Sequence, residues 1–358
     1  LQIYTSALVF SPLNSLIRKA FKEEEPQWLK VKPIVEHDWR PHLQTLNGHG
    51  VMISSVAFSS DGRYLASGSR DDTIKILDMM SKKQQTFKGH SQLVRSVAFS
   101  ADSRYLASGS YDKTIKIWDI TTGKEQQTLI GHGSEITSVA FSADGRYLAS
   151  GSSDKTIKIW DPTVKGRQAL NSHNDIVLSV AFSADGRYIA SGSEDKNIKI
   201  WDPTGKERHT LRGHTDAVYS VAFSADGHYL ASGSWDKTIT IWDLTRGKKQ
   251  QTLMDNHYSI GTVTSVAFSA DGHYLASGAS DDAIKIWNLK KRRIQQYLIG
   301  HQTTIESVAF SADGHYLASG SNDEIIKIWD ITTGKERQTI KVNATIQTIS
   351  FDDTASYL

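Results

Sequence analysis

Short runs of alternating apolar and polar residues recur along most of the chain. Within residues 89–130, the runs 96–100, 105–110, 114–119 and 126–129 alternate with a period of two, which is the pattern of a half-buried β-strand. Asp-Gly follows the first run in six of the seven copies of this pattern, and it tolerates the positive φ angles of a tight hairpin. The pattern predicts four antiparallel strands per unit, joined by short turns, and no helix.

The unit occurs seven times, each time with a segment close to SVAFSADGRYLASGS. A histidine precedes each of these segments, and successive histidines are 41 to 44 residues apart: His49, His90, His132, His173, His214, His257 and His301. A fixed period of this length indicates one supersecondary unit repeated in series. A single four-stranded sheet leaves both apolar faces uncovered, so neighbouring units must pack on each other. We predict an all-β propeller with seven regular four-stranded blades.

The two ends of the chain differ from the repeats. Residues 1–41 contain four of the six prolines and the acidic run 23–25, and we expect them to form a junction segment that packs on or completes the propeller. Residues 42–358 are expected to form the propeller itself. Within them, 42–46 has the pattern of a fourth strand without its own blade, and 345–358 that of strands one and two of a further copy. The sequence leaves open an eighth blade closed by both ends.

The charge balance, the absence of cysteine and the distribution of apolar residues exclude several kinds of site. The 41 basic and 39 acidic side chains give a net charge of +2 without a dense basic stripe, so we expect no nucleic-acid surface. Cysteine is absent, which excludes disulfides and thiolate metal sites and suits the cytoplasm. No run of about 18 apolar residues occurs, so no membrane span is expected. The chain begins at Leu1 without a methionine, and we expect it to be a fragment.

Gly89-His90 near the start of the second copy and Trp118-Asp119 near its end carry a family resemblance. The unit resembles the WD-repeat β-propellers, over residues 42–340. In that family a His, a strand Ser, a turn Asp and a Trp form a buried hydrogen-bond chain in each blade. The resemblance implies this structural role for His90, Ser108, Asp112, Trp118, His132, Ser150, Asp154, Trp160, His173, Ser191, Asp195, Trp201, His214, Ser232, Asp236 and Trp242.

Two copies depart from the family pattern. Leu77 stands at the Trp position of the first copy, and Asn288 replaces the final Asp of the sixth. Without the indole donor, the first blade is expected to be the least protected of the seven.

The segment 1–33, followed by HLQTLNGH at 42–49, is similar to the junction that precedes the repeats in fungal NACHT-type (STAND, NLR-like) signalling proteins. Several of those proteins act in heterokaryon incompatibility and defence. This similarity implies a sensor propeller with a NACHT NTPase core upstream. A general scaffold subunit of a cytoplasmic complex is the alternative function, and a propeller enzyme is a third.

A hydrogen-bonded Ser, His and Asp also occurs in hydrolases. Here the set recurs in most copies together with Trp, which indicates buried braces, so we expect no catalytic residue and no enzyme activity. Seven of the thirteen histidines are the repeat histidines, far apart in sequence, whereas metal sites need converging ligands. A GxxxxGK[ST] phosphate loop is absent as well. We therefore expect neither a metal nor a cofactor.

Two positions vary between the copies while their neighbours largely agree. One lies just before the turn Asp between strands two and three, the other just before the Ser of strand one. In a propeller both lie on the same rim, so their side chains would form one surface, which we call the variable face. Loops on a rigid scaffold commonly carry binding sites, so we predict that a protein or a conjugated ligand binds there. The positions are Arg70, Tyr111, Ser153, Glu194, Trp235, Ser280 and Asn322 in the turns, and Ser54, Arg95, Thr137, Leu178, Tyr219, Thr264 and Glu306 in strand one.

Overall fold

A computed structural model of the chain describes residues 49, 51–161, 166–171, 173–254, 261–342 and 345–349. For 166–169 and 171 it describes the backbone alone. The predicted junction 1–41, the strand expected at 42–46, His257 and residues 350–358 lie outside the described part.

The described residues form seven four-stranded antiparallel sheets, and each sheet takes its four strands in chain order. The strands of blades one to four are β1 Ile53–Phe58, β2 Tyr64–Ser69, β3 Thr73–Asp78, β4 Gln84–Lys88, β5 Val94–Phe99, β6 Tyr105–Ser110, β7 Thr114–Asp119, β8 Lys124–Ile130, β9 Ile136–Phe141, β10 Leu148–Ser152, β11 Thr156–Asp161, β12 Gly166–Asn171, β13 Val177–Phe182, β14 Ile189–Ser193, β15 Ile198–Trp201 and β16 Glu207–Leu211.

The strands of blades five to seven are β17 Val218–Phe223, β18 Tyr229–Ser234, β19 Ile239–Asp243, β20 Lys248–Leu253, β21 Val263–Phe268, β22 Tyr274–Ala279, β23 Ala283–Asn288, β24 Arg293–Ile299, β25 Ile305–Phe310, β26 Tyr316–Ser321, β27 Ile325–Asp330 and β28 Lys335–Lys341. The predicted fold class, an all-β propeller with seven regular blades, is confirmed. Among the described residues we find no helix with the length and apolar character needed to span a bilayer.

The Asp-Gly turns have the conformation that the sequence predicts. In blade three, Gly145 has a φ of 68°, which glycine adopts without steric penalty. Ser142 Oγ donates to Asp144 at 2.5 Å and accepts from the Tyr147 amide at 2.8 Å, so a polar side chain closes the hairpin from within. This local chemistry fixes the register of strands one and two in each blade.

The core lies between neighbouring blades. Each of six apolar clusters joins alternate side chains from strands two to four of one blade to those of strands one to three of the next. The second strand carries a glycine because a neighbour approaches its backbone closely: a Cβ at Gly109 would lie 2.5 Å from Ile136 Cγ2. The blades are therefore held by packing between sheets as well as by hydrogen bonds within them.

Polar contacts between the first strands connect the blades around the channel. The strand-one serine of one blade accepts a hydrogen bond from a valine amide of the next, as Ser55 does from Val97 at 3.1 Å. Segment 345–349 continues this series although no sheet of the described chain includes it. The Ile349 amide donates to Ser307 at 3.0 Å, and Thr348 Oγ1 accepts from the Val56 amide at 2.8 Å. Segment 345–349 thus lies between blades seven and one as an eighth inner element.

Candidate functional site

The buried hydrogen-bond chain is complete in blade two. His90 Nδ1 lies 2.7 Å from Asp112 Oδ2, and His90 Nε2 lies 2.7 Å from Ser108 Oγ. The Trp118 indole N–H donates to the same serine oxygen at 2.8 Å. An ionised carboxylate only accepts, so Nδ1 carries a proton toward Asp112. The chain ties the turn between strands two and three to the segment that enters the blade.

The other implied residues are joined in the same way. In blades three, four and five the His–Asp and His–Ser distances are 2.7 to 2.8 Å, and the indole–serine distances are 2.8 Å, 3.3 Å and 2.8 Å. These contacts connect His132, Ser150, Asp154, Trp160, His173, Ser191, Asp195, Trp201, His214, Ser232, Asp236 and Trp242. Blade seven repeats the arrangement with His301, Ser319, Asp323 and Trp329.

Blades one and six depart from it. In blade one, His49 contacts Asp71 at 2.7 Å and Ser67 at 2.9 Å, but Leu77 supplies no donor. In blade six, Asp281 pairs with the buried ammonium of Lys285. Asn288 nevertheless keeps the turn function of the Asp that it replaces, since its Oδ1 accepts from the Lys291 amide at 2.9 Å.

The chain of donors and acceptors fixes the ionisation of the turn aspartates. Burial works to raise the pKa of Asp112, but hydrogen bonds from His90 and Thr114 outweigh it and hold that pKa well below its ordinary value. Asp154, Asp195 and Asp236 have pKa values lowered in the same manner by their own histidines. The serines of these sets, such as Ser108 and Ser150, are fully buried, so a substrate cannot reach their hydroxyls. These groups therefore have a structural role: they hold the turn and the strands of each blade together.

The variable positions of each blade lie side by side. The backbone amide of each turn residue donates to a carbonyl two residues before the strand-one position, as Trp235 does to Ala217 at 2.9 Å and Tyr111 to Leu93 at 2.9 Å. The same contact occurs at Arg70, Ser153, Glu194, Ser280 and Asn322. The two sets that the sequence singled out therefore meet at one end of every blade.

Side chains meet across this pairing as well. In blade five the rings of Tyr219 and Trp235 are stacked, and 43% of Trp235 remains exposed. In blade seven the side-chain Nδ2 of Asn322 donates to Glu306 Oε1 at 2.7 Å. Arg70, Tyr111, Ser280 and Asn322 are exposed, whereas Ser153 and Glu194 are half-buried.

The strand-one positions converge on the channel. A cavity of about 170 Å³ is lined by Arg95, Thr137, Leu178, Tyr219, Thr264 and Glu306, together with Gln347 and the serines that follow these positions. Burial raises the pKa of Glu306 against the opposing effects of Asn322 and Arg95. Burial also raises the pKa of Tyr219, which Arg95 opposes while Glu306, Tyr111 and Glu194 add to it. Residues of blades two, four, five and seven thus interact electrostatically across the channel mouth.

The sector around Trp235 is aromatic and acidic. Burial and the neighbouring carboxylate of Asp175 raise the pKa of Glu194, and Lys155 partly offsets them. Lys155 itself lies 3.4 Å from Asp175. Arg70 and Arg95 carry positive charge in blades one and two. The variable face therefore has sectors of different chemistry, which a ligand of matching polarity can distinguish.

At two strand-one positions the side-chain hydroxyl is engaged by backbone carbonyls. Ser54 has 0% exposure, and its hydroxyl donates to the carbonyls of Gly68 and Val94, so its assignment to the variable face is corrected. The side chain is short enough to turn into the junction with blade two and satisfy two backbone acceptors. Thr264 is also buried, with its hydroxyl on the carbonyls of Gly278 and Ile305.

Sequence reasoning missed Gln347. It lies before Thr348 as Arg95 lies before Ser96, and its side-chain oxygen accepts a hydrogen bond from Arg95. The signal was the match of 345–349 to the first-strand pattern, which places Gln347 at the variable position. No group of three or more His, Asp or Glu side chains that could hold a metal occurs within the described ranges.

Comparison with known proteins agrees with this geometry. The model of the WD domain, G-beta repeat, matches residues 40–78, 81–119, 123–161, 165–202, 205–243, 247–288 and 292–330, which is more than half of the chain. The chain is also 57% identical over 81 residues to vegetative incompatibility protein HET-E-1 of Podospora anserina. That match covers 23% of this chain and 6% of the length of the relative. The chain belongs to the family of WD domain, G-beta repeat proteins.

Proposed function

We propose that this propeller is a non-catalytic recognition module that binds a protein partner or a conjugated ligand on its variable face. The observation that carries the proposal is the convergence of six strand-one positions on one channel mouth, beside the stacked Tyr219–Trp235 pair. Trp, Tyr and Arg dominate the energetics of protein interfaces. The stacked pair is held in place before a ligand arrives, which reduces the entropy lost on binding.

The resemblance of the N-terminal segment and the partial similarity to HET-E-1 support a more specific role. In this role the module is the sensor of a fungal NACHT-type incompatibility or defence protein in the cytoplasm. A ligand on the variable face would alter contacts between the propeller and a nucleotide-binding core encoded upstream. It can bias such a switch only through different affinities for the off and on states.

The binding proposal is tested by comparing three forms of the chain as bait in a fungal extract. The first is unchanged, the second carries Tyr111→Ala, Tyr219→Ala and Trp235→Ala, and the third carries Ile130→Ala and Ile299→Ala on fourth strands. Ile130 and Ile299 are each 71% exposed, so they control for loss of exposed apolar area elsewhere. A partner retained by the first and third forms but lost by the second supports the variable face. Equal retention by all three, with the fold intact by circular dichroism, excludes it.

The sensor role has a separate test. The reading frame upstream of Leu1 should encode a nucleotide-binding core, and the joined protein should hydrolyse nucleotide at a rate that changes when the partner is added. A frame without such a core would instead favour a scaffold subunit.

A further inference from the structure

The turn between strands three and four of blade six differs in charge from the same turn of other blades. It has the sequence Asn-Leu-Lys-Lys-Arg-Arg at 288–293, where blades two and seven have Asp-Ile-Thr-Thr-Gly-Lys at 119–124 and 330–335. Four cationic side chains and no carboxylate therefore occupy this turn, whereas the other two turns carry one charge of each sign. All four cationic side chains are exposed. We call residues 288–293 the basic turn.

The basic turn keeps the cap that its counterparts have. Asn288 Oδ1 accepts a hydrogen bond from the Lys291 amide at 2.9 Å, as Asp119 Oδ1 does from the Thr122 amide at 2.8 Å. An amide oxygen thus replaces a carboxylate oxygen in the same structural role. The difference between the two turns lies in the charge of their side chains.

The loss of the aspartate removes a partner for nearby cations. In blade one, the equivalent Asp78 pairs with Arg63 at 3.0 Å. Asn288 is neutral, and its side-chain nitrogen donates to Gln295 Oε1 at 3.1 Å. Among the residues that the structure describes, none of the four cations of the basic turn takes part in an ion pair. Their mutual repulsion is unfavourable until an anion lies beside them.

Arg292 adds a cation where the backbone favours glycine. Its φ is 53°, and the equivalent residues of blades two, four, five and seven are glycines with φ between 59° and 81°. A side chain in this left-handed region costs free energy that glycine avoids. Lys82 of blade one, with a φ of 58°, is also a cation at this position. The guanidinium of Arg292 therefore has no explanation in the local backbone geometry.

The basic turn lies at the end of its blade opposite the variable face. The Leu289 amide donates at 3.1 Å to the carbonyl of His273, in the hairpin between strands one and two. In an antiparallel sheet this hairpin and the turn between strands two and three lie at opposite ends. The flanking turns are closer to neutral, since Asp243 lies 3.7 Å from Arg246 in blade five and the turn of blade seven carries one charge of each sign. The excess positive charge is therefore about one turn wide.

We propose that the basic turn is a docking site for an acidic segment of a partner protein, namely a short run of Asp or Glu side chains. Clusters of arginine recognise acidic motifs because the guanidinium binds carboxylates through two parallel hydrogen bonds. Nucleic-acid strands and bilayers are bound through longer cationic tracks with stacking aromatic or apolar side chains, which this turn lacks. The site is separate from the variable face and does not depend on ligand binding there.

The test uses a labelled peptide with six consecutive glutamates, titrated into the full chain beside a control peptide with glutamines in their place. A turn variant gives blade six the turn of blade two through Asn288→Asp, Lys290→Thr, Lys291→Thr, Arg292→Gly and Arg293→Lys. A charge control lowers the net charge by the same amount at exposed lysines of blades one, two and four, through Lys83→Gln, Lys88→Gln, Lys124→Gln and Lys206→Gln. Circular dichroism checks that both variants are folded.

The expected result is saturable binding of the acidic peptide by the unchanged chain and by the charge control. The turn variant should bind at least about tenfold more weakly because it lacks the local excess of positive charge. Raising the salt concentration from about 0.05 M to about 0.5 M should also weaken binding, since exposed charges are screened. The form with Tyr111→Ala, Tyr219→Ala and Trp235→Ala should bind the acidic peptide as the unchanged chain does, which separates this site from the variable face.

Several outcomes would overturn the proposal. These are no saturable binding by the unchanged chain, equal weakening in the turn variant and the charge control, or binding that salt does not affect. Tighter binding of single-stranded oligouridine, or of vesicles containing phosphatidylserine, would indicate another class of partner. Binding that appears only after Glu23→Gln, Glu24→Gln and Glu25→Gln would mean that the acidic run of this chain occupies the turn, which also excludes the partner.

Discussion

Tyr219 and Trp235 stack with their ring centroids 5.7 Å apart and their planes at 16°. Tyr219 is on the first strand of blade five and Trp235 is in the turn between its second and third strands. The Trp235 amide donates to Ala217, which fixes the distance between the two backbones. Residues at the two variable positions of one blade are thus direct neighbours, and a change at one alters the surroundings of the other.

A double-mutant cycle should detect this pairing. Tyr219→Ala and Trp235→Ala, alone and together, are expected to give a coupling free energy of about 0.5–1.5 kcal/mol, because offset aromatic pairs contribute that much beyond buried area. Urea unfolding measures the four free energies. The same cycle with Tyr111→Ala and Trp235→Ala, which lie in different blades, should give coupling near zero. Strict additivity for Tyr219 and Trp235 would contradict the stacked geometry.

The blade was predictable from sequence because its signals are local. The alternation predicts the strands and Asp-Gly predicts the first hairpin of each blade. Because the pattern recurs seven times, the same four-stranded sheet is predicted for each copy. The variable face followed from the same logic, since turn and strand-one positions must meet at one rim.

Other features depend on side-chain direction, which alternation does not specify. Ser54 and Arg95 occupy equivalent positions, yet the short hydroxyl turns into the junction between blades and the long guanidinium reaches Gln347. Gln347 was missed because the variable positions were taken from the seven complete repeats, and segment 345–349 belongs to none of them. The partial exposure of Ile53, Val56 and Leu65, at the junction between blades seven and one, also escapes a sequence analysis, since their residue types match buried counterparts in the other blades.

The buried indole of Trp118 is expected to stabilise blade two, and blade one lacks this contribution. Trp118 stacks on Phe87 at 5.3 Å and donates to Ser108, so Trp118→Leu should lower the free energy of unfolding by about 2–4 kcal/mol through lost volume and the loss of this hydrogen bond. Blade one already has Leu77 at this place. Amide exchange in the unchanged protein should therefore be faster around Leu77 than around Trp118. Equal or slower exchange around Leu77 would show that the Trp is dispensable for protection.

Acid should destabilise the propeller through the turn aspartates. The folded-state pKa of Asp112, Asp154, Asp195 and Asp236 lies well below the ordinary value of 3.8. Each group thus contributes stability that is present above that value and is lost as the pH falls below it. The contribution of these four groups to the free energy of unfolding, measured by urea between pH 7 and 2, should be nearly constant above about pH 5 and decline steeply below about pH 4.

Asp112→Asn separates this effect from general acid denaturation. The amide still accepts a hydrogen bond but does not titrate, so the variant should be less stable at pH 7 and lose less stability on acidification. Parallel curves for the variant and the unchanged protein would mean that Asp112 does not carry the acid dependence.

Two glycines at equivalent positions should respond differently to the same substitution. A Cβ at Gly109 would lie 2.5 Å from Ile136 where blades two and three meet, and a Cβ at Gly320 would lie 2.6 Å from Ile346 where blade seven meets segment 345–349. Ile136 belongs to a strand held by a full blade, so Gly109→Ala is expected to destabilise the chain by about 1–3 kcal/mol. Ile346 belongs to a segment outside any described sheet and can move aside. Gly320→Ala should therefore cause a smaller loss, together with faster exchange at 345–349, as measured by urea unfolding and amide exchange. A loss as large as that of Gly109→Ala would show that segment 345–349 is as firmly held as a strand within a blade.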